Sequence, residues 1–160
     1  MALGDNTLRS AAGNSQRGRN PYMVQTTLNW ATALSDKGTA LAAADVVPVI
    51  AVAKGTMILN AGIEVDTATD GSTFTVDLGT GVDPDVFVDG FDATSAAAVV
   101  AHNPAAYQPV MAVADDNIDV TIATLSGGAV TSGKFRVWAV MMDCTDMGDT
   151  AANEVARDNA

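Results

Sequence analysis

Residues 55–79 read GTMILNAGIEVDTATDGSTFTVDLG, and this stretch decides the fold class. Apolar and polar residues alternate on both sides of the ATDG sequence at residues 68–71. A strand places alternate side chains on opposite faces, whereas a helix would scatter the same residues around its axis. The stretch therefore predicts two β-strands joined by a turn, and we interpret the pair as a hairpin.

The alternation also predicts which side chains of these two strands face the core. In the first strand the inward set is predicted to be Met57, Leu59, Ala61, Ile63 and Val65. The polar set on the opposite face is Asn60, Glu64 and Asp66. In the second strand the inward set is predicted to be Phe74, Val76 and Leu78.

Strand patterns continue along the rest of the chain. Residues 22–30 alternate, and residues 45–53 are rich in β-branched residues around Pro48, which predicts a sheet edge or a bulge there. Residues 31–44 are interpreted as a loop with at most a short helix, and residues 117–125 as a strand with Ile118, Val120 and Ile122 on one face. Eight or nine short strands separated by turns predict an all-β fold, a β-sandwich or jelly-roll-like single domain.

The late run KFRVWAVMMD, residues 134–143, is apolar on both faces. Such a strand is central in its sheet, or its outer face meets another subunit. The face that carries Trp138, Val140 and Met142 is therefore the candidate oligomer interface.

Composition limits the classes of partner. The chain has 160 residues, of which 48% are hydrophobic, so one packed domain is expected. The formal net charge is −11, which repels nucleic-acid phosphates and anionic membranes, so we expect neither as a partner. The first ten residues lack the apolar core of a signal peptide, and the apolar runs are too short to span a bilayer.

Charge and composition divide the chain into three parts. Residues 1–20 are polar and carry a net charge of +2, residues 21–143 form the predicted β domain, and residues 144–160 form an acidic tail. The first part cannot bury enough apolar surface to fold alone. It is either a frayed terminus or a flexible, extended N-terminal arm that orders on an acidic neighbouring subunit.

The arm hypothesis names specific residues. Backbone ordering costs about 1–2 kcal/mol per residue, and exposed ion pairs return at most about 1 kcal/mol each. Leu3 and Leu8 would therefore supply packing on the partner, while Arg9, Arg17 and Arg19 set the register.

The chemistry of an enzyme is not visible in the sequence. The chain has one histidine, His102, and one cysteine, Cys144, too few for a zinc site or a thiol–imidazole pair. No nucleophile elbow, Walker A sequence or dinucleotide fingerprint occurs. We therefore expect no catalytic residues, no cofactor and no required metal.

The segment DLGTGVDPDVFVDGFD, residues 77–92, is the one candidate for a metal loop. Asp83 and Asp85 have the spacing of the first two calcium ligands, but Phe87 stands at the third position and no glutamate follows. Asp beside Gly is equally typical of turns, where the carboxylate binds its own backbone. We interpret the segment as strand and turns with Val86 and Val88 on one face and Asp85, Phe87 and Asp89 on the other, and a weak divalent site remains an alternative.

Three stretches carry a resemblance to a known group of proteins. They are VVPVIAVAKGTMILNAGIEV, TFTVDLGTGVDPDVFVDGFD and FRVWAVMMD, within residues 45–143. Together they resemble small virion proteins of tailed bacteriophages. The second stretch fits the pattern V-x-L-G-x-G-x-D-x-D-x-F-x-x-G-x-D. The resemblance implies a head decoration, or cement, protein on the capsid surface, made in the host cytoplasm and bound between major capsid protein subunits.

Two other functions remain open beside decoration by a homotrimer. The first is a tail-associated or fibre-associated adaptor. The second is a receptor-binding or carbohydrate-binding module on the same β-sandwich. A sugar site needs exposed aromatic platforms, and the chain has only two Trp and two Tyr, most of them in or beside predicted strands.

Overall fold

The computed structural model describes residues 20–94, 99–101 and 109–144. The strands of this part are β1 (Tyr22–Asn29), β2 (Val46–Val52), β3 (Thr56–Thr67), β4 (Thr73–Thr80), β5 (Val88–Asp92), β6 (Val99–Ala101), β7 (Val110–Met111), β8 (Asp116–Ser126) and β9 (Lys134–Asp143). One short helix, α1 (Trp30–Lys37), follows β1 directly.

The strands form two antiparallel sheets. The first sheet has the order β1-β9-β3-β6, with β7 also paired to β3, and the second has the order β2-β8-β4-β5. The chain passes from one sheet to the other after β1, β2, β3, β5, β7 and β8. This is the topology of a double-sheet jelly roll, so the predicted all-β sandwich class is confirmed.

The predicted hairpin between β3 and β4 is wrong. Strand β3 pairs with β9, β6 and β7, whereas β4 pairs with β8 and β5 in the other sheet. The turn at residues 68–72 therefore crosses between the sheets. The alternation identified both strands correctly because each has one face on the shared core, but a short connection does not require neighbouring strands to pair.

The inward set of β3 also needs correction at its first residues. Ile58 is 1% exposed and lies in the core, whereas Met57 and Leu59 are only half-buried. The pairing with β9 shifts register between Ile58 and Asn60, and such a bulge adds one residue to the strand. The phase of the alternation changes there, so the prediction holds from Ala61 onward and fails before it.

The core lies between the two sheets. It includes Phe74, Val76 and Leu78 of β4, Ile118, Val120 and Ile122 of β8, and Phe135, Val137, Ala139 and Met141 of β9. Pro48 lies in β2, which is an edge strand, and its pairing with β8 shifts register between Pro48 and Ile50. Both alternatives predicted for this proline are therefore realised.

Three aromatic rings fill one end of the core. Trp30 contacts Phe74 and Phe135 edge to face, with ring centroids 4.9 and 5.4 Å apart. Trp30 starts α1 rather than ending β1, because Asn29 caps the helix by accepting a hydrogen bond from the Ala31 N–H. The cap turns the chain inward and buries the indole fully.

Hydrogen bonds to the Asp70 carboxylate fix the connection between β3 and β4. Asp70 accepts hydrogen bonds from the backbone N–H groups of Thr131 and Ser132 and from the Thr131 hydroxyl. These bonds, led by that of the hydroxyl, lower the pKa of Asp70 to about 2. The carboxylate thus ties the crossover between the sheets to the loop that precedes β9.

We expect Asp70→Asn to lower stability at neutral pH and to lose this effect in acid. The folded-state pKa lies below the unfolded value of 3.8, so the carboxylate stabilises the fold above that value. The contribution disappears as the pH falls through about 2. Asp70 is exposed, so solvent screening limits the effect to about 0.5–1 kcal/mol. Urea unfolding of both proteins between pH 7 and pH 2 measures it, and a difference that stays constant with pH would contradict the assignment.

The three-part division of the chain remains a prediction. All strands of the described residues lie within residues 21–143. The arm, apart from Asn20, and the tail, apart from Cys144, lie outside the described residues. In the part of the chain that is described, no helix is long and apolar enough to cross a membrane.

Candidate interaction surfaces

The outer face of the first sheet carries a group of methionines beside the candidate interface residues. Strand pairing places Met142, Met57 and Met111 in one row across β9, β3 and β7. Met23 and Val140 lie in the next row, across β1 and β9. We call the surface formed by Met23, Met57, Met111, Trp138, Val140 and Met142 the methionine face.

Side chains of the methionine face are open to solvent in the single chain. Met23 is 62% exposed and Met111 is 40% exposed, while Trp138, Val140 and Met142 are half-buried. Trp138 pairs with Gln25 on β1 and with Gly62 on β3, so no β3 side chain stands beside the indole in that row. An exposed apolar patch of this kind is typical of a protein contact.

Charged residues lie at one end of the methionine face. The next row holds Arg136, whose guanidinium lies 3.0 Å from the Glu64 carboxylate, and Thr27 on β1. Lys134 and Asn29 follow. The outer face of the first sheet therefore has an apolar half, which is the methionine face, and a charged half, and the apolar half is the candidate for a buried contact.

The structure places the predicted interface residues Trp138, Val140 and Met142 together on this face. The pairing of β1, β3, β7 and β9 adds Met23, Met57 and Met111 to this face, and these three are not among the predicted interface residues. Met57, predicted in the core, lies on this outer face because the bulge between Ile58 and Asn60 changes the phase of the alternation. Alternation alone does not separate apolar residues on an outer face from core residues. The signal in the sequence for an apolar outer face was therefore the methionine content of the chain.

The outer face of the second sheet has the opposite character. Asp77 on β4 and Asp119 on β8 lie between buried neighbours and point away from the core. Burial raises the pKa of Asp119, and the nearby Asp116 adds to the rise. Burial also raises the pKa of Asp77, beside Asp89 and Asp85. Like charges on this face favour contact with solvent over contact with another acidic copy.

Two aspartates of residues 77–92 accept backbone hydrogen bonds: Asp92 within a local turn, and Asp77 across from β4 to β5. Asp77 accepts a hydrogen bond from the Gly90 N–H at 2.7 Å. Asp92 accepts one from the Thr94 N–H at 2.9 Å. Among the described residues no group of three or more His, Cys, Asp or Glu side chains could hold a metal ion.

The predicted alternation that places Phe87 and Val88 on opposite faces of a strand is wrong. Phe87 is fully buried, as is Val88 beside it, because residues 84–87 form a turn rather than an alternating strand. The Phe87 N–H donates to the Leu78 carbonyl and anchors the turn on β4. Asp83 stays at the surface, where a hydrogen bond with Asp85 raises its pKa.

A cleft of about 590 Å³ opens at one end of the sandwich. Its apolar lining includes Val52, Ile58, Val86, Val110, Met111 and Val113, and its rim carries Asp83, Asp115 and Asp116. Val82 and Val113 at the cleft are 85% and 76% exposed. The loop after β4 forms one wall, and it packs so closely on Gly79 that a Cβ there would collide with the Asp83 and Pro84 carbonyls.

The site residues predicted for the arm are not among those that the structure describes. Leu3, Leu8, Arg9, Arg17 and Arg19 lie outside the described residues, as does His102. Cys144 is described and half-buried at the end of β9, where its N–H donates to the Gly55 carbonyl.

Comparison with known proteins finds similarity in structure and not in sequence. No family model and no curated protein matches the chain. A chain of the cyanophage Pam1 capsid asymmetric unit is similar, with a TM-score of 0.63 and 14% identity over 88% of this chain and 97% of that one. A chain of the capsid of Ralstonia phage GP4 gives a TM-score of 0.53 and 16% identity over 87% and 90%. The jelly roll of this chain is thus a fold present in phage capsids, in chains of about the same length.

Proposed function

We propose that the protein is a structural component of a bacteriophage virion that decorates the capsid shell. The observation that supports this most directly is the contrast between the two outer faces. The methionine face is apolar and open, whereas the outer face of the second sheet carries Asp77 and Asp119. A protein bound to a shell by the first face would display the second to solvent. The jelly-roll fold, shared with chains of two phage capsids, agrees with this role.

The proposed partner is the major capsid protein, bound where its subunits meet. Methionine side chains are flexible and polarisable, so the face can adapt to a surface formed by more than one subunit. A stable contact of ordinary size buries about 800 Å² on each partner, with an aromatic anchor near its centre. Trp138 is the residue in the methionine face that fits this anchor role.

Stabilisation of the shell would follow from mass action and needs no chemistry. A ligand that binds the assembled shell, and not its separated subunits, lowers the free energy of the assembled state. The role is therefore structural rather than enzymatic. We propose a homotrimer as the decorating unit, with the capsid surface as its location.

The arm, residues 1–20, would add a second attachment in the particle. Its net charge of +2 is opposite in sign to the charge of the β domains of neighbouring copies, so the two attract. Leu3 and Leu8 would pack on partner subunits, and Arg9, Arg17 and Arg19 would set the register.

We expect the full chain to bind purified heads that lack it, and a chain without residues 1–20 to bind more weakly. The deletion removes packing and backbone contacts, so the loss should persist at high salt. The triple change of Arg9, Arg17 and Arg19 to Ala should matter mainly at low salt, where screening is weak. Co-sedimentation with heads measures both affinities.

Circular dichroism of the deleted chain is the control, because the β domain should remain folded. Full affinity without the arm would show that residues 1–20 are a frayed end. No binding of the full chain to heads would contradict decoration itself.

A further inference from the structure

The cleft at the end of the sandwich has the properties of a docking site for a short apolar and basic peptide. Its interior is lined by aliphatic side chains such as Val52, Ile58 and Val110. Two valines at the cleft, Val82 and Val113, are largely exposed in the described structure. Burying such side chains removes apolar area from water, so an occupant with an aliphatic residue would gain stability there.

The rim of the cleft is acidic, and no described ion pair neutralises its carboxylates. The ion pairs within the described residues are Lys37 with Asp45 and Arg136 with Glu64, and neither involves the rim. Asp115 accepts a hydrogen bond from the Lys54 backbone N–H, and Asp116 accepts one from Asn117. With Asp83, the rim therefore presents three carboxylates to any segment that approaches the cleft.

Two terminal segments leave the domain at this end, and their charges distinguish them. Tyr22 at the start of β1 and Met141 near the end of β9 lie in the same row as Ile58, which lines the cleft. Residues 145–160 contain four acidic residues and one arginine, a net charge of −3, and the rim repels them. Residues 1–19 contain three arginines and one aspartate, a net charge of +2, together with Leu3 and Leu8.

Strand pairing gives the distance from the start of β1 to the cleft. Tyr22 pairs with Met141, Met141 with Ile58, and Ile58 with Val110. Three strand spacings separate Tyr22 from Val110, which is about 14 Å. The thirteen residues between Leu8 and Tyr22 can span at most about 45 Å. Leu8 is therefore within reach of the cleft of its own chain.

We propose that in the free subunit the segment of residues 1–19 folds back onto its own cleft, with Leu8 in the apolar interior and Arg9 against the rim carboxylates. The short linker gives the segment an effective concentration in the millimolar range, far above that of a second copy in dilute solution. The contact is a property of the free chain and goes beyond the proposed attachment to the capsid. The segment leaves the cleft before it reaches a neighbouring subunit in the particle.

Disulfide trapping in the full chain tests this proposal. The background variant is Cys144→Ser, and Leu8→Cys is combined with Val113→Cys at the cleft. The matched control combines Leu8→Cys with Val46→Cys. Val46 is 54% exposed and begins β2, whereas Val52, near the other end of β2, lines the cleft. The two positions in β2 lie about 20 Å apart.

We expect an intramolecular disulfide between positions 8 and 113 to form at least tenfold faster than one between positions 8 and 46, at a rate independent of protein concentration. Replacing Arg9, Arg17 and Arg19 with Ser, or adding 1 M salt, should slow the first reaction severalfold. Equal rates at the two positions would show that the segment does not dock. A product that is mainly a disulfide-linked dimer would assign the cleft to a second copy. Either result would overturn the proposal.

Discussion

Met23→Glu should reduce binding to phage heads by about 30-fold to 1,000-fold while leaving the fold intact. Met23 is 62% exposed on the methionine face, so the carboxylate costs little in the free chain. In the proposed contact it becomes a buried charge without a partner, and hot-spot changes of this kind cost about 2–4 kcal/mol. Co-sedimentation with heads that lack the protein measures the affinity, and light scattering follows self-association in the same variant.

Thr27→Glu is the matched control for this prediction. It introduces the same charge on the same strand and the same outer face, but in the charged half beside Arg136. We expect less than a threefold change in affinity. Equal losses for both variants would indicate a general charge effect, and an unchanged affinity of Met23→Glu would exclude the methionine face as the contact surface.

Trp30→Ala should destabilise the domain by about 3–5 kcal/mol, a large part of the 5–15 kcal/mol typical of a domain. The indole is fully buried and contacts both Phe74 and Phe135 edge to face. Removing it leaves a cavity at the point where the inner faces of the two sheets meet. Thermal unfolding followed by circular dichroism should show a midpoint lower by about 10–15 °C.

Two variants separate packing from other causes at this position. Trp30→Phe keeps an aromatic ring, and it removes a buried Nε1–H group that has no hydrogen-bond partner among the described residues. We therefore expect a smaller loss, about 1–2 kcal/mol. Tyr22→Ala, at a residue 45% exposed, should cost less than about 1 kcal/mol. If Trp30→Ala were no worse than Tyr22→Ala, the aromatic group would not be central to the core.

The strands could be predicted because a sheet buried on one face imposes period-two alternation. This holds for Phe74, Val76 and Leu78 on β4 and for Ile118, Val120 and Ile122 on β8. Pairing could not be predicted in the same way. The hairpin proposed for β3 and β4 fails because the chain changes sheets at Asp70, where three hydrogen bonds to residues 131 and 132 fix the crossover.

Local irregularities account for the errors in assigning side chains to faces. One inserted residue near Leu59 places Ile58 in the core in place of Met57. The turn before β5 likewise places Phe87 in the core. The surfaces were only partly predictable. Trp138, Val140 and Met142 followed from one strand, whereas the rest of the methionine face and the cleft arise from segments that are distant in sequence.

The central claim is that this chain is a component of the capsid shell. An image reconstruction of the virion whose genome encodes it tests that claim most directly, with the chain fitted into the density as a rigid jelly roll. Our account predicts one copy of the fold at repeated positions on the outer surface of the head, with the methionine face toward the major capsid protein and Asp77 and Asp119 toward solvent. Density for the chain on the tail alone, or its absence from the purified virion, would contradict the account.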